Sequence, residues 1–144
     1  MTRNIFIATA IAALIGFSAA PAMANSVSIQ QFGFGNAAGG GQAGFANQIG
    51  VYQNGIWNGA TANQFGTGNV AAIGQKGFNN SADTFQNGNW NQAGVAQFGQ
   101  NNNAVLSQDG NGNIVAGVQV GNGCDANVSQ NGSGNVAAFV QVCP

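Results

Sequence analysis

Apolar and polar residues along this chain return in fixed columns. In residues 64–75, Gln-Phe-Gly-Thr-Gly-Asn-Val-Ala-Ala-Ile-Gly-Gln, a Gln is followed by Gly two residues on, Asn at five, Ala at seven, an aliphatic residue at nine and Gln again at eleven. Positions five, seven, nine and eleven lie two apart, and side chains two apart on a strand share one face. The pattern therefore predicts one strand per unit, with Asn, a small residue, an aliphatic residue and Gln on that face. Asn69, Ala71, Ile73 and Gln75 form one such set; Asn91, Ala93, Val95 and Gln97, and Asn113, Val115, Gly117 and Gln119, form others.

Self-similarity at a fixed period marks a repeat architecture and outranks any local motif. Gln stands at eleven successive places in an unbroken eleven-residue period: Gln31, Gln42, Gln53, Gln64, Gln75, Gln86, Gln97, Gln108, Gln119, Gln130 and Gln141. Gly follows two residues later at Gly33, Gly44, Gly55, Gly66, Gly77, Gly88, Gly99, Gly110, Gly121 and Gly132, and Cys143 takes the next place in that column. The third column begins at Asn25 and holds Asn36, Asn47, Asn58, Asn69, Asn80, Asn91, Asn102, Asn113 and Asn135, with Cys124 as its one interruption.

An eleven-residue period also describes a right-handed helical coiled coil. Gly in every unit costs about 1 kcal/mol relative to Ala in a helix, and no flanking charges exist to choose helix partners. The strand reading stands. The Gly after each Gln is expected to open a short arc in which a positive φ turns the chain back. Strand, arc, strand, arc then makes a coil of twenty-two residues, and alternate units stack in one sheet. The predicted fold is all-β, a β-solenoid of about five such coils, with eleven strands over residues 25–144.

Alternate units differ in bulk, which supports twenty-two as the structural unit. Position seven is Ala38, Ala60, Ala82, Ala104 and Ala126 in one set, and Val27, Ile49, Ala71, Ala93, Val115 and Ala137 in the other. Position nine of the second set includes Ile29, Val51, Ile73, Val95 and Phe139. One slim and one bulkier sheet interdigitate in a thin core. Gly39, Gly40 and Gly41 make residues 36–42 the poorest strand. Stacked Asn and Gln are expected to form ladders, each amide donating to one neighbour and accepting from the other. An unpaired buried amide would cost about 1–3 kcal/mol, so register is enforced.

Composition narrows the function. Arg3, an apolar run over 5–17 and the small residues ending at Ala24 have the form of a secretory signal peptide over 1–24, with cleavage after Ala24. The run is too short for a transmembrane segment, which needs about 20 apolar residues. Beyond it the only charged side chains are Lys76, Asp83, Asp109 and Asp125, which leaves no basic surface for nucleic acid. Abundant Gly, Asn, Gln and Ala also describe disordered low-complexity chains. Against that reading, eleven of the fifteen Gln fall in one column. With no His and no Glu, and three Asp in different columns, neither an acid pair for glycoside hydrolysis nor a calcium-binding repeat is formed. No enzyme, cofactor or metal is expected. Thr61, Thr67 and Thr84 make no flat array of the kind an ice-binding solenoid needs.

The unit Gln-x-Gly-x-x-Asn-x-Ala-x-x-x-Gln, read at Gln64, Gly66, Asn69, Ala71 and Gln75, again from Gln75 to Gln86 through Gly77, Asn80 and Ala82, and from Gln130 to Gln141 through Gly132, Asn135 and Ala137, resembles the repeat of curlins. Curlins are subunits of bacterial curli amyloid fibres, and the resemblance covers nearly all of the chain beyond the leader. It implies a structural subunit, secreted through an outer-membrane pore, that polymerises with itself into an extracellular cell-surface fibre for adhesion and biofilm matrix. It also implies a nucleating subunit as partner. Asn where many curlins alternate Ser, and the two cysteines, leave open whether this chain is the major or the minor, nucleating subunit.

The residues reach the same assembly reading unaided. Bare strands at the two ends, near residues 25–31 and 135–141, lack the charge or proline that keeps edges apart, apart from Pro144, and head-to-tail addition gives a filament. A monomeric, surface-binding solenoid is the alternative. Lys76 and the three Asp are either gatekeepers that slow assembly or simply solvated. Cys124 and Cys143 flank the same arc in stacked units, as a disulfide on the final coil or as two buried thiols; two are too few for a structural zinc site. Phe32, Phe65, Phe98, Trp57 and Trp90 lie in or beside arcs, where they pack the arcs or offer binding surfaces.

Overall fold

The computed structural model describes residues 24–144; apart from Ala24, the leader expected over 1–24 lies outside the described residues. Among the described residues the chain forms eleven strands: β1 (Ser26–Phe34), β2 (Ala37–Phe45), β3 (Gln48–Ile56), β4 (Gly59–Thr67), β5 (Val70–Phe78), β6 (Ser81–Asn89), β7 (Gln92–Gln100), β8 (Asn103–Asn111), β9 (Ile114–Asn122), β10 (Asp125–Ser133) and β11 (Val136–Val142). Odd strands form a six-stranded sheet in the order β1-β3-β5-β7-β9-β11, and even strands a five-stranded sheet in the order β10-β8-β6-β4-β2. Every pairing is parallel and joins residues twenty-two apart, as Gln53 with Gln75 and Gln64 with Gln86. The two-sheet β-solenoid read from the period is the fold.

The core is the thin space between the sheets. Ile49, Val51, Ile73, Val95 and Val115 fill it from the odd strands, and Ala60, Ala62, Ala82, Ala104 and Leu106 from the even strands. The slim-against-bulky contrast holds at position seven and fails at position nine near the last coils, where Leu106 and Val128 lie on the even side. On the odd side Gly117 leaves the space that Phe139 enters: a Cβ built on Gly117 would fall 1.9 Å from the Phe139 ring. Core volume is shared across the gap, so no single column determines it. β2 forms despite its three glycines, with Gly40 paired to Ala62, and its residues are exposed or half-buried.

Candidate assembly interface

The Gln column is a continuous hydrogen-bonded spine. In the odd sheet Gln31, Gln53, Gln75, Gln97 and Gln119 each donate Nε2 to the Oε1 one coil further on, ending at Gln141, over 2.7–2.8 Å. In the even sheet Gln42, Gln64, Gln86 and Gln108 do the same, ending at Gln130, over 2.7–2.9 Å. Nε2 carries a second hydrogen, and this crosses the core: Gln75 donates to the Gly59 carbonyl at 2.8 Å and Gln86 to the Val70 carbonyl at 3.0 Å. Gln53, Gln64, Gln86 and Gln97 are therefore satisfied at 0 % exposure. Among the described residues the one buried side-chain polar atom without a partner is Thr84 Oγ1.

The Asn column differs from the amide ladder expected of it. Each Asn stands at a corner, just before its strand, where its short side chain reaches backbone rather than the next amide alone. Oδ1 of Asn47 accepts the backbone N–H of Asn69 at 3.0 Å, and Oδ1 of Asn58 that of Asn80 at 3.1 Å. Nδ2 donates to the Gly carbonyl nineteen residues on, from Asn58 to Gly77 at 3.1 Å and from Asn69 to Gly88 at 2.8 Å. The expected ladder forms over part of the column, where direct amide contacts join Asn58 to Asn36, Asn80 to Asn58, Asn102 to Asn80, Asn113 to Asn91 and Asn135 to Asn113 over 2.9–3.2 Å. Asn thus clamps each corner to the coil above.

The glycines expected to open the arcs are instead the last residue but one of their strands. All ten have φ between 102° and 143°. A Cβ on Gly77 would lie 1.8 Å from the carbonyl oxygen of Gly99, so glycine is required there by the close approach of the next rung as well as by φ. The chain turns two residues later, at Gly35, Ala46, Trp57, Gly68, Asn79, Trp90, Asn101, Gly112, Gly123 and Gly134, all with φ between 52° and 70°. Column inspection misses this set because half of it is not glycine. The clue is its constant spacing of four residues after each Gln.

Cys124 and Cys143 are joined in a disulfide with Cα atoms 5.6 Å apart and stand nineteen positions apart in sequence. That interval equals the Asn-to-Gly clamp. A covalent bond thus stands in the last coil where other coils have Asn Nδ2 donating to a Gly carbonyl. Trp57 covers Gly35 and Trp90 covers Gly68, with ring carbons 2.7 and 2.6 Å from where a Cβ would be, and Phe34 meets Trp57 edge-on at 5.6 Å. Phe32 lies 5.9 Å from Tyr52 and Phe65 5.7 Å from Phe85, ring to ring. Asp109 and Asp125 accept from Asn87 and Asn103 at 3.1 and 3.0 Å on the outer even face, which Asp83 shares, and Lys76 stands on the odd face. Among the described residues no group of three or more His, Cys, Asp or Glu is placed to hold a metal, and no helix is long and apolar enough to cross a membrane.

Each end of the stack leaves two strands unpaired on one side, β1 and β2 below and β11 and β10 above. The edge expected near residues 25–31 is thus half of a two-strand end, and so is the one near 135–141. A parallel β-solenoid with an amide-laddered core and open edges is the class of protein that these features define. Two stretches, residues 58–83 and 77–110, match the family model of the curlin associated repeat. Residues 58–110 are thus similar to curlin-type repeats, and the Gln, Gly and Asn columns continue past both matches. No curated protein matches the chain.

Proposed function

We propose that this protein is a secreted structural subunit that stacks end to end into an extracellular, curli-like amyloid fibre. The observation that carries this reading is the pair of bare two-strand ends. β11 turns Val136, Val140 and Val142 to solvent at 73 %, 74 % and 79 % exposure, and only Asp125 places a charge on the four edge strands. Proteins that remain monomeric shield such edges with charge, proline, bulges or a covering element. Residues 1–24 act as the export leader, cut after Ala24, and an outer-membrane pore and a nucleating subunit are the partners. The fibre serves adhesion and biofilm matrix on a bacterial surface. The Cys124–Cys143 clasp, which ties down one end, favours as second reading a minor subunit whose braced end seeds growth.

Fibre diffraction of the purified protein left in dilute buffer tests the reading. Reflections near 4.7 and 10 Å support it. A solution that stays monodisperse overturns it and leaves the monomeric, surface-binding solenoid. Seeding efficiency then separates major from nucleating subunit.

A further inference from the structure

Eleven strands divide unequally, six to the odd sheet and five to the even sheet, so the upper end is a step with β11 one half-coil above β10. The lower end is the matching step, β1 below β2. This decides how a second copy fits, given the end-to-end stacking proposed above. If the next copy keeps the same orientation, its β1 lies on β11, its β2 has no strand beneath it, and one rung is missing above β10. A nine-residue strand's worth of backbone groups would go unpaired there, each at a cost of about 1–3 kcal/mol where buried. If the next copy is turned by 180° about the long axis, its β1 lies on β10 and its β2 on β11, and every rung is filled. Because strands repeat every eleven residues, this places each residue of the next copy's first coil over the residue 99 positions later (Ser26 over Asp125, nine half-coils).

We infer that successive copies in the fibre are rotated by half a turn, so that the odd sheet of one continues the even sheet of the next. Side chains at the junction agree. Gln130 and Gln141 end the Gln spine with an Nε2 hydrogen facing upward, and Gln31 and Gln42 begin it with an open Oε1, two donors over two acceptors. Only head-to-tail contact pairs them. Rotation sets Gly33 over Gly132, glycine on glycine as in the rungs from Gly33 to Gly132, whereas the unrotated junction would set Gly33 over Cys143. It also sets Gly40 over the bulky Phe139, whereas the unrotated junction would set Ile29 there.

Two outward positions distinguish the junctions. Rotation brings Ser28 of one copy onto Asn127 of the other, while the unrotated junction brings it onto Ala138. Adjacent rungs stand about 4.8 Å apart, within disulfide reach. Fibres grown from a mixture of S28C and N127C variants, oxidised and dissolved, should yield covalent dimers whose peptides map to that pair, and a mixture of S28C and A138C should not. Dimers from the second mixture alone, or fibres with neither cross-link, overturn the inference while leaving fibre formation intact. Failure of every variant and of the parent to form fibres removes the stacking reading and the inference with it. A second variant serves as a check. A Cβ on Gly132 meets only Asn135 Nδ2, at 3.7 Å, within its own copy, and on Gly134 it meets nothing. Gly132→Ala, whose methyl would strike the rotated neighbour's Gly33, should slow seeded elongation by at least about tenfold relative to Gly134→Ala, since about 1.4 kcal/mol is tenfold and a backbone clash exceeds that. Equal elongation overturns the inference.

Discussion

The first coil, β1 and β2, and the last, β10 and β11, are built from the same columns and finished differently. β1 is exposed along its length and β2 carries Gly39, Gly40 and Gly41 where other strands have side chains to pack. The last coil has Val128 and Phe139 against the core and a disulfide at its corner. Repetition therefore supplies the geometry of a coil without supplying equal stability. The upper end is braced from within, and the lower end depends on what lies beneath it.

The strongest contrast is in the glycine column, because each missing Cβ points toward the coil above. Gly77→Ala would drive a methyl into the Gly99 carbonyl, and the loss should reach about 5 kcal/mol, read as urea unfolding by circular dichroism. Gly132→Ala, with no rung of its own copy above it, should cost only the left-handed backbone strain, about 1–2 kcal/mol. Equal losses would mean that the ends are not different. Next comes the Gln spine. Gln75→Ala breaks two ladder bonds and one bond across the core and should cost about 3–4 kcal/mol, whereas Gln31→Ala, exposed and with one ladder bond, should cost about 1 kcal/mol or less.

Reducing the Cys124–Cys143 bond should cost about 3 kcal/mol, the entropy of a loop of this size. The effect should be local: amide hydrogen exchange should quicken in β10 and β11 and stay unchanged in β5. If the reduced last coil exchanges no faster than β1, the clasp is not what distinguishes the two ends. The smallest effect is expected at Thr84, whose buried hydroxyl has no partner. Thr84→Val keeps the shape, removes the orphan and should raise stability by about 1 kcal/mol.

Much of this was legible because, in a stack, one column of sequence is one line of contacts. The unbroken Gln column gave the coil length, the parity of the strands and the spine together. Asn was harder to read. Its side chain is one methylene shorter than that of Gln, so at a corner it caps backbone groups and only some Asn pairs bond amide to amide. The turn residues were hidden because a left-handed φ was met by Ala46, Trp57, Asn79, Trp90 and Asn101 as well as by glycine. The crossing of bulk near Leu106, Gly117 and Phe139 was hidden too, since it depends on which residues face each other across the core. Spacing alone does not separate a disulfide from two free thiols at Cys124 and Cys143; their interval matches the Asn-to-Gly clamp, a clue visible only once the clamp is known.

The two amide columns have an electrical consequence. Gln side chains point their N–H groups toward the C-terminal end of the stack, whereas the Asn amides that bond one another, as Asn80 with Asn58 and Asn102 with Asn80, point their oxygens that way. An amide carries a dipole of about 3.5 D, and in an α-helix such dipoles align into an appreciable charge at each end. Here those Asn dipoles run against the Gln dipoles, and the backbone dipoles of a sheet largely cancel as well. The field along the axis therefore builds less with each added copy than the Gln columns alone would make it.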